Sequence, residues 1–431
     1  MLARVTDDET PLKHPSANLP VMLSARQHVF SVTWLAYAGF YLCRKNFSVV
    51  IPLLISHEGL SKGDLANAVA CYSLAYSIGQ FTMGGLADRF GARRIVSIGL
   101  SLTIAANVAI GFWYGAWALC LLLALNGFAQ ASGWPGLVKI MGAWFGKAQR
   151  GVVMAWWSTN YALGGFAATL IATWVLTHGT FLASLEWRRG MWIPAFILLP
   201  IALLFAIGVR ESPSVVNSQP QRGLSLGRLR EVFRSSRLQL IAVVYFILKL
   251  TRYSFLFWLP LYMTEQLRYS ASEAGYSSAI FELAGFFGVL AAGYISDRFM
   301  GSRRFPAAAL LLAVLGVTCL FHPTLSAWSR IGNLVGIALI GMGIFGPDTL
   351  LSGAAVQDAA PRDALATAVG TVNGVGSIGQ LISPWIVVFI AENYGWNNLF
   401  YFFSALSLAG CVLLLAFRLE KRGAFVHEAA S

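Results

Sequence analysis

Arg44 and Arg252 are cations in places where an apolar chain ought to carry none. Arg44 lies within Tyr37-Ala38-Gly39-Phe40-Tyr41-Leu42-Cys43-Arg44-Lys45-Asn46-Phe47, and Arg252 lies within a second apolar run. At helical spacing Tyr37, Tyr41 and Arg44 share one face. Tyr245, Lys249 and Arg252 repeat that face, each 208 residues further along. A guanidinium stays ionised and presents a planar fork of donors suited to phosphate oxygens. A charge at the bilayer midplane costs roughly 2.5–3.5 kcal/mol on the insertion scale, so it faces a cavity and marks a pathway. The two arginines are therefore read as two sides of one anion site, with a salt-bridge network between helices as the competing reading.

The neighbouring groups are weighed in the same way. Lys249 occupies the place of Tyr41 in the first copy, one turn before Arg252, as a third cation for the anion or the partner of an acid. Lys45 points about 100° away from Arg44 and is expected to pair structurally. Glu282 and Asp348 are the acids within apolar runs. Glu282 is expected as counter-ion to Arg252 or Lys249. Asp348 is expected to serve Lys45 or to receive a hydroxyl of the ligand, and for both acids the structural role carries more weight. Tyr37, Tyr41, Tyr72, Tyr76 and Tyr253 supply hydroxyls, although aromatics at helical spacing are as often packing. Trp134, with Pro135, offers a kink and a broad surface.

These residues need long helices to hold them. The chain has 431 residues, of which 57% are hydrophobic and only 12% charged, against about a quarter in soluble domains. Its mean hydropathy is +0.65. Apolar segments fall at 29–55, 64–87, 95–114, 117–140, 151–177, 190–209, 238–264, 273–296, 305–323, 328–355, 364–391 and 396–418. Each suffices for a span of ~20 residues, and lipid permits only helices there. The expected fold is an all-α membrane protein of twelve transmembrane helices in two pseudo-symmetric six-helix halves. Residues 1–209 form the first half, 210–237 a basic linker and 238–431 the second half. Part of that linker, 228–237, reads either as an amphipathic surface helix or as a solvated connection.

Lys and Arg in the connections set the orientation. With both termini inside, twenty-one fall in inner segments and five in outer ones. The net charge of +12 is thus a topology signal, and nucleic acid is excluded as a partner. Residues 1–28 are polar and lack a signal-peptide core, so they read as a cytosolic tail. Five scattered cysteines and six single histidines form no disulfide framework or metal cluster. No phosphate-binding Gly-Lys-Ser/Thr loop is present, so neither an enzyme nor an ATP-driven pump is expected, and no cofactor or metal.

The halves also share a loop. Gly84-Gly85-Leu86-Ala87-Asp88-Arg89-Phe90-Gly91-Ala92-Arg93-Arg94 is matched by Gly293 to Arg304, with Asp297 placed 209 residues after Asp88. This run resembles the cytoplasmic loop of the major facilitator superfamily. The resemblance implies that Asp88 with Arg89, and less strongly Asp297, latch the halves by contacting a neighbouring helix N-terminus and its arginines, where a carboxylate is favoured.

Tyr41-Leu42-Cys43-Arg44-Lys45-Asn46-Phe47 with Pro52 resembles the organophosphate:phosphate antiporter family. So do Asp64-Leu65, Ala75-Tyr76, Gln130-x-x-Gly133-Trp134-Pro135, Trp144-Phe145 and Gly346-Pro347. Lys249-Leu-Thr-Arg252-Tyr253, Trp258-Leu259-Pro260 and Asn373-Gly-x-Gly-Ser377 resemble the sugar-phosphate exchangers of that family. The resemblance implies the major facilitator fold, arginines that bind phosphate, and exchange of a phosphorylated sugar or similar organophosphate for inorganic phosphate by alternating access. A monomer in a bacterial inner (plasma) membrane, with both termini cytoplasmic, is expected. Gln80, Tyr161 and Phe257 depart from the glycerol-3-phosphate type, so that substrate does not transfer. A proton-coupled organic-anion transporter, or a transporter-like sensor of sugar phosphates, are the alternatives.

Overall fold

The computed structural model describes residues 19–145, 153–154, 156–178, 180, 182–209, 234–360 and 365–428. Most of the basic linker (210–233) and the first 18 residues of the polar tail lie outside the described residues.

Among the described residues there are twelve long helical segments. In the first half they are α1 (Leu19–Glu58), α2 (Lys62–Phe90), α3 (Ala92–Ile110), α4 (Ala116–Gln130, resuming as Gly133–Trp144), α5 (Asn160–Thr177) and α6 (Arg189–Gly208). The second half has α7 (Ser236–Glu265), α8 (Ala271–Tyr294), α9 (Arg304–Trp328), α10 (Arg330–Thr349), α11 (Leu365–Asn393) and α12 (Trp396–Glu428). Ten of these are long and apolar enough to cross a membrane. The two that fall short are α2 and α5. α2 carries Asn67, Ser73, Ser77, Gln80 and Thr82 along its length, several of them turned inward. At 40 residues, α1 is about 60 Å long at 1.5 Å per residue, twice the thickness of a hydrocarbon core.

The repeat seen in the sequence is also a repeat of local chemistry. Ser61 caps α2 by accepting from the backbone N–H of Asp64, whose carboxylate accepts in return. Ser270 and Glu273 build the same reciprocal cap on α8, 209 residues on. Two orphan donors are satisfied at each start. Packing follows the same twofold: α2 runs against α11, its counterpart α8 runs against α5, and α1 meets α7 across the seam. All five cysteines are unpaired.

Calling the end with α1's start the terminal end, the halves are joined by polar contacts at the opposite, far end. Lys62 Nζ lies 2.7 Å from Glu265 Oε2, which also accepts from Trp396 Nε1 at 3.0 Å. Trp385 Nε1 donates to Asn67 Oδ1 at 2.8 Å. At mid-height Lys45 Nζ bridges to Glu282 at 2.7 Å and donates to the carbonyl of Leu256 at 2.8 Å.

Candidate functional site

The site begins with a fault in α1. Cys43 leaves helical geometry (φ −101°, ψ 15°) without a proline beside it. Its carbonyl accepts from three side-chain amides: Asn126 at 2.9 Å, Gln130 at 3.0 Å and Asn107 at 3.4 Å. Donors from α3 and α4 thus occupy a group that a regular helix would satisfy internally. The next residue is Arg44. Its Nε donates to Gln130 Oε1 at 2.7 Å, and Tyr72 donates its hydroxyl to the same oxygen at 3.1 Å. The guanidinium lies 4.6 Å from the Tyr41 ring and 5.1 Å from that of Tyr76. Its Nη2 is buried with no hydrogen-bond partner.

Gln130 is the last residue of the first part of α4. The turn at Ala131 and Ser132 separates the two parts of α4, placing Pro135 in a first turn where its missing N–H is tolerated. Gln80 of α2 donates to the Ala131 carbonyl at 3.4 Å. Pro135 has no N–H to offer the Ala131 carbonyl, so the kink expected from Trp134-Pro135 takes the form of this turn.

Across the seam, Arg252 is anchored differently. Its Nη1 lies 2.9 Å from Asp348 Oδ2, and its Cζ sits 4.3 Å from the Phe345 ring and 5.5 Å from Tyr161. Among the described residues no carboxylate lies within 4 Å of Lys249; its Nζ lies 5.5 and 5.6 Å from the rings of Tyr245 and Tyr253. Lys249 interacts electrostatically with Asp348, Arg252 and Arg44, and Tyr41 with both arginines. The repeated faces Tyr37-Tyr41-Arg44 and Tyr245-Lys249-Arg252 therefore converge on one place.

A glycine of α5 and one of α11 lie against these two faces. A Cβ on Gly165 of α5 would lie 3.5 Å from Tyr41 and 3.0 Å from Glu282. One on Gly376 of α11 would lie 2.5 Å from Tyr245 and 3.1 Å from Lys249. Each half brings a bare backbone against the same face, as small residues allow in membranes.

The acids pair in the opposite sense to the expectation. Glu282 meets Lys45, and Asp348 meets Arg252. Lys45 points across the seam towards α8, whereas the face carrying Arg252 looks towards α10, so helix position decides the partners. Tyr37 packs its ring against Trp134 at 5.3 Å and Trp157 at 5.8 Å, and Trp134 lies 5.4 Å from Trp157. The three rings pack together within the first half. Tyr76 stacks on Tyr72 at 6.0 Å.

The loop aspartates keep to their own halves. Asp88 pairs with Lys139 of α4 at 2.7 Å, and Lys139 also donates to the Ala87 carbonyl at 3.0 Å. Asp297 meets Arg304, whose Nε lies 3.5 Å from Asp358. Arg89 places its guanidinium 5.1 Å from the Phe90 ring. Among the described residues the ion-pair partner of Asp88 is a lysine of α4, where arginines of a neighbouring helix were expected. The amides Asn107, Asn126 and Gln130 are the functional groups that charge alone did not reveal. Their signal is two amides four residues apart within the apolar stretch 116–130.

A twofold helical bundle with buried cations facing one another across its seam is the architecture of a membrane carrier for an anion. The Major Facilitator Superfamily model matches residues 33–361 and 334–429, and the chain belongs to that superfamily and, within it, to the organophosphate:phosphate antiporter family. It is 29% identical to a glycerol-3-phosphate transporter of Bacillus subtilis, over 91% of both chains. It is 27% identical to the membrane sensor protein UhpC of Salmonella typhimurium, over 94% of both. It is 30% identical to sugar phosphate exchanger 3 of Mus musculus, over 82% of this chain and 79% of the relative. Its fold matches the inward-facing, unoccupied structure of a bacterial homologue of the human lysosomal transporter Spinster, with a TM-score of 0.71 and 17% identity over 91% of this chain and 95% of the other. The protein is an integral, multi-pass membrane protein of a carrier family and not an enzyme.

Proposed function

We propose that the protein is a secondary antiporter that exchanges a phosphorylated sugar or similar organophosphate for inorganic phosphate by alternating access. The observation that carries this reading is the charge at the seam. Arg44, Lys249 and Arg252 come together from both halves, while Asp348 is, among the described residues, the one carboxylate paired with any of them. Three cations and one anion leave a net +2. A phosphate dianion matches that charge, and its oxygens match the unpartnered Arg44 Nη2 and Arg252 Nε.

Exchange follows from the same charge. Closing the halves on an empty site expels water and raises the repulsion among the cations. A bound phosphoryl group offsets that repulsion, so only the loaded carrier crosses readily. Tyr41 and Tyr76 hold the Arg44 side, Tyr37 and Trp134 form its wall, and Lys45 with Glu282 holds the seam. Asp88, Arg89 and Asp297 act at the terminal end, where the halves part. With both termini cytoplasmic, in a bacterial inner membrane, the Lys62–Glu265 contact closes the site to the outside. The working unit is a monomer with six-helix halves at 1–209 and 238–431 joined by the linker 210–237, and it takes no nucleic acid.

Proteoliposomes loaded with or without inorganic phosphate test the reading. Labelled organophosphate should enter only the loaded vesicles. Equal uptake in both would remove obligate exchange. Saturable binding without any uptake would instead favour a sensor, as the relative UhpC of Salmonella typhimurium is named.

A further inference from the structure

Asp348 is the one acid at the site that the phosphate clamp does not need. A phosphoryl group would be held more tightly by an unneutralised Arg252, yet a carboxylate lies 2.9 Å from that guanidinium. Its side chain is 9% exposed. One oxygen, Oδ2, faces Arg252, while Oδ1 is buried with no hydrogen-bond partner. The polar neighbours along the helix are turned to the backbone: Thr349 donates to the Phe345 carbonyl at 3.1 Å and Ser352 to the Asp348 carbonyl at 2.7 Å. Immediately beyond, α10 widens into a π-helical turn at Leu350–Ala355, a distortion that recurs at functional positions.

We propose that Asp348 is the specificity-determining residue of the site, and that the substrate it selects is a phosphate monoester whose organic part is uncharged and hydroxylated. This rests on the organophosphate-exchange reading. A buried carboxylate oxygen left without a donor is expensive, and nothing in the neighbouring helix supplies one. A hydroxyl of the bound substrate does, once its phosphoryl group is seated between Arg44 and Arg252. The same carboxylate rejects a phosphorylated acid. The seam's net +2 is already balanced by a phosphate dianion, so a second carboxylate would lie unbalanced beside Asp348. Like charges brought together across a binding site disfavour the wrong partner strongly.

The test is a matched pair of competitors against labelled phosphate exchange in proteoliposomes: glucose 6-phosphate and 6-phosphogluconate. They share six carbons and a terminal phosphate; 6-phosphogluconate adds a carboxylate and lacks the pyranose ring, and the ring difference is the same for every variant compared. The readout is the ratio of their half-inhibitory concentrations, which does not depend on how much carrier is active. The unaltered protein should prefer the uncharged sugar phosphate by on the order of tenfold or more. Asp348→Asn should bring that ratio towards one, and Asp348→Glu should largely keep it. An unchanged ratio in Asp348→Asn overturns the proposal. If that variant carries no flux, the ratio is read from ligand-induced thermal stabilisation of the purified protein, with the same two outcomes. A folded Asp348→Asn protein that binds neither compound also overturns it, because removing a negative charge beside Arg252 should strengthen anion binding. Absence of phosphate exchange in the unaltered protein is a separate result; it removes the transport reading and this proposal with it.

Discussion

Arg44 is held by a neutral amide: its Nε donates to Gln130 Oε1 at 2.7 Å, and Gln130 in turn donates to the Cys43 carbonyl at 3.0 Å. The arginine keeps its full charge while its direction is fixed. Gln130→Leu should raise the phosphate concentration for half-maximal exchange about tenfold, the scale of a lost hydrogen bond to a charged group. Gln130→Glu should be worse, because a carboxylate would occupy the guanidinium that the ligand needs. Phosphate saturation curves of homologous exchange decide it. Ordinary saturation in both variants would show that Arg44 orients itself.

Arg44→Lys and Arg252→Lys should each weaken phosphate binding by about tenfold or more, since an ammonium lacks the bidentate fork. The loss should be greater for Arg44. The Arg252 charge is already partly neutralised by Asp348, whereas Arg44 is held by the neutral Gln130. Competition of labelled exchange by unlabelled phosphate measures both, and equal affinity in all three proteins would dissolve the clamp.

The Lys45–Glu282 pair joins the halves with each side chain only 2% exposed. Removing one partner strands a buried charge, so Lys45→Met or Glu282→Gln alone should destabilise by ~3–5 kcal/mol. The double substitution should recover much of that loss. Thermal unfolding in detergent completes the cycle; additive losses would mean that the two charges do not depend on each other.

Lys62 and Glu265 close the far end with side chains 21% and 30% exposed. Partly solvated pairs contribute about 0.2–1 kcal/mol. Lys62→Ala should therefore shift the balance between closed and open forms up to about fivefold, with little change in overall stability. Labelling of a cysteine placed at Val69, buried on the α2 face that carries Tyr72 and Tyr76, followed over time, reads that balance. Raised salt should mimic the substitution.

Much of this architecture is legible in the amino-acid order because the bilayer punishes exceptions. Arg44, Lys249 and Arg252 stand out only because their neighbours are apolar, and their common offset of 208 discloses the twofold. The ion-pair partners are another matter. Whether Lys45 meets Glu282 or Asp348 depends on which helices touch across the seam, and periodicity within one helix says nothing of its neighbour. The bend at Cys43 is equally hidden. No proline or glycine occupies that position, and the amides that hold it lie 64 to 87 residues away. Lys139 reads as one more residue within a hydrophobic stretch, but the second part of α4 carries it to the level of Asp88.

The carbonyl of Cys43 has one more consequence. The amides that hold it open come from α3 and α4, helices of the same half. The bend in α1 is thus clamped from within its own half and does not serve as a spring between the two openings. Each half should swing as a stiff lever with its arginine fixed at a set angle, so the stroke of the carrier is set by the seam and not by the flexing of any single helix.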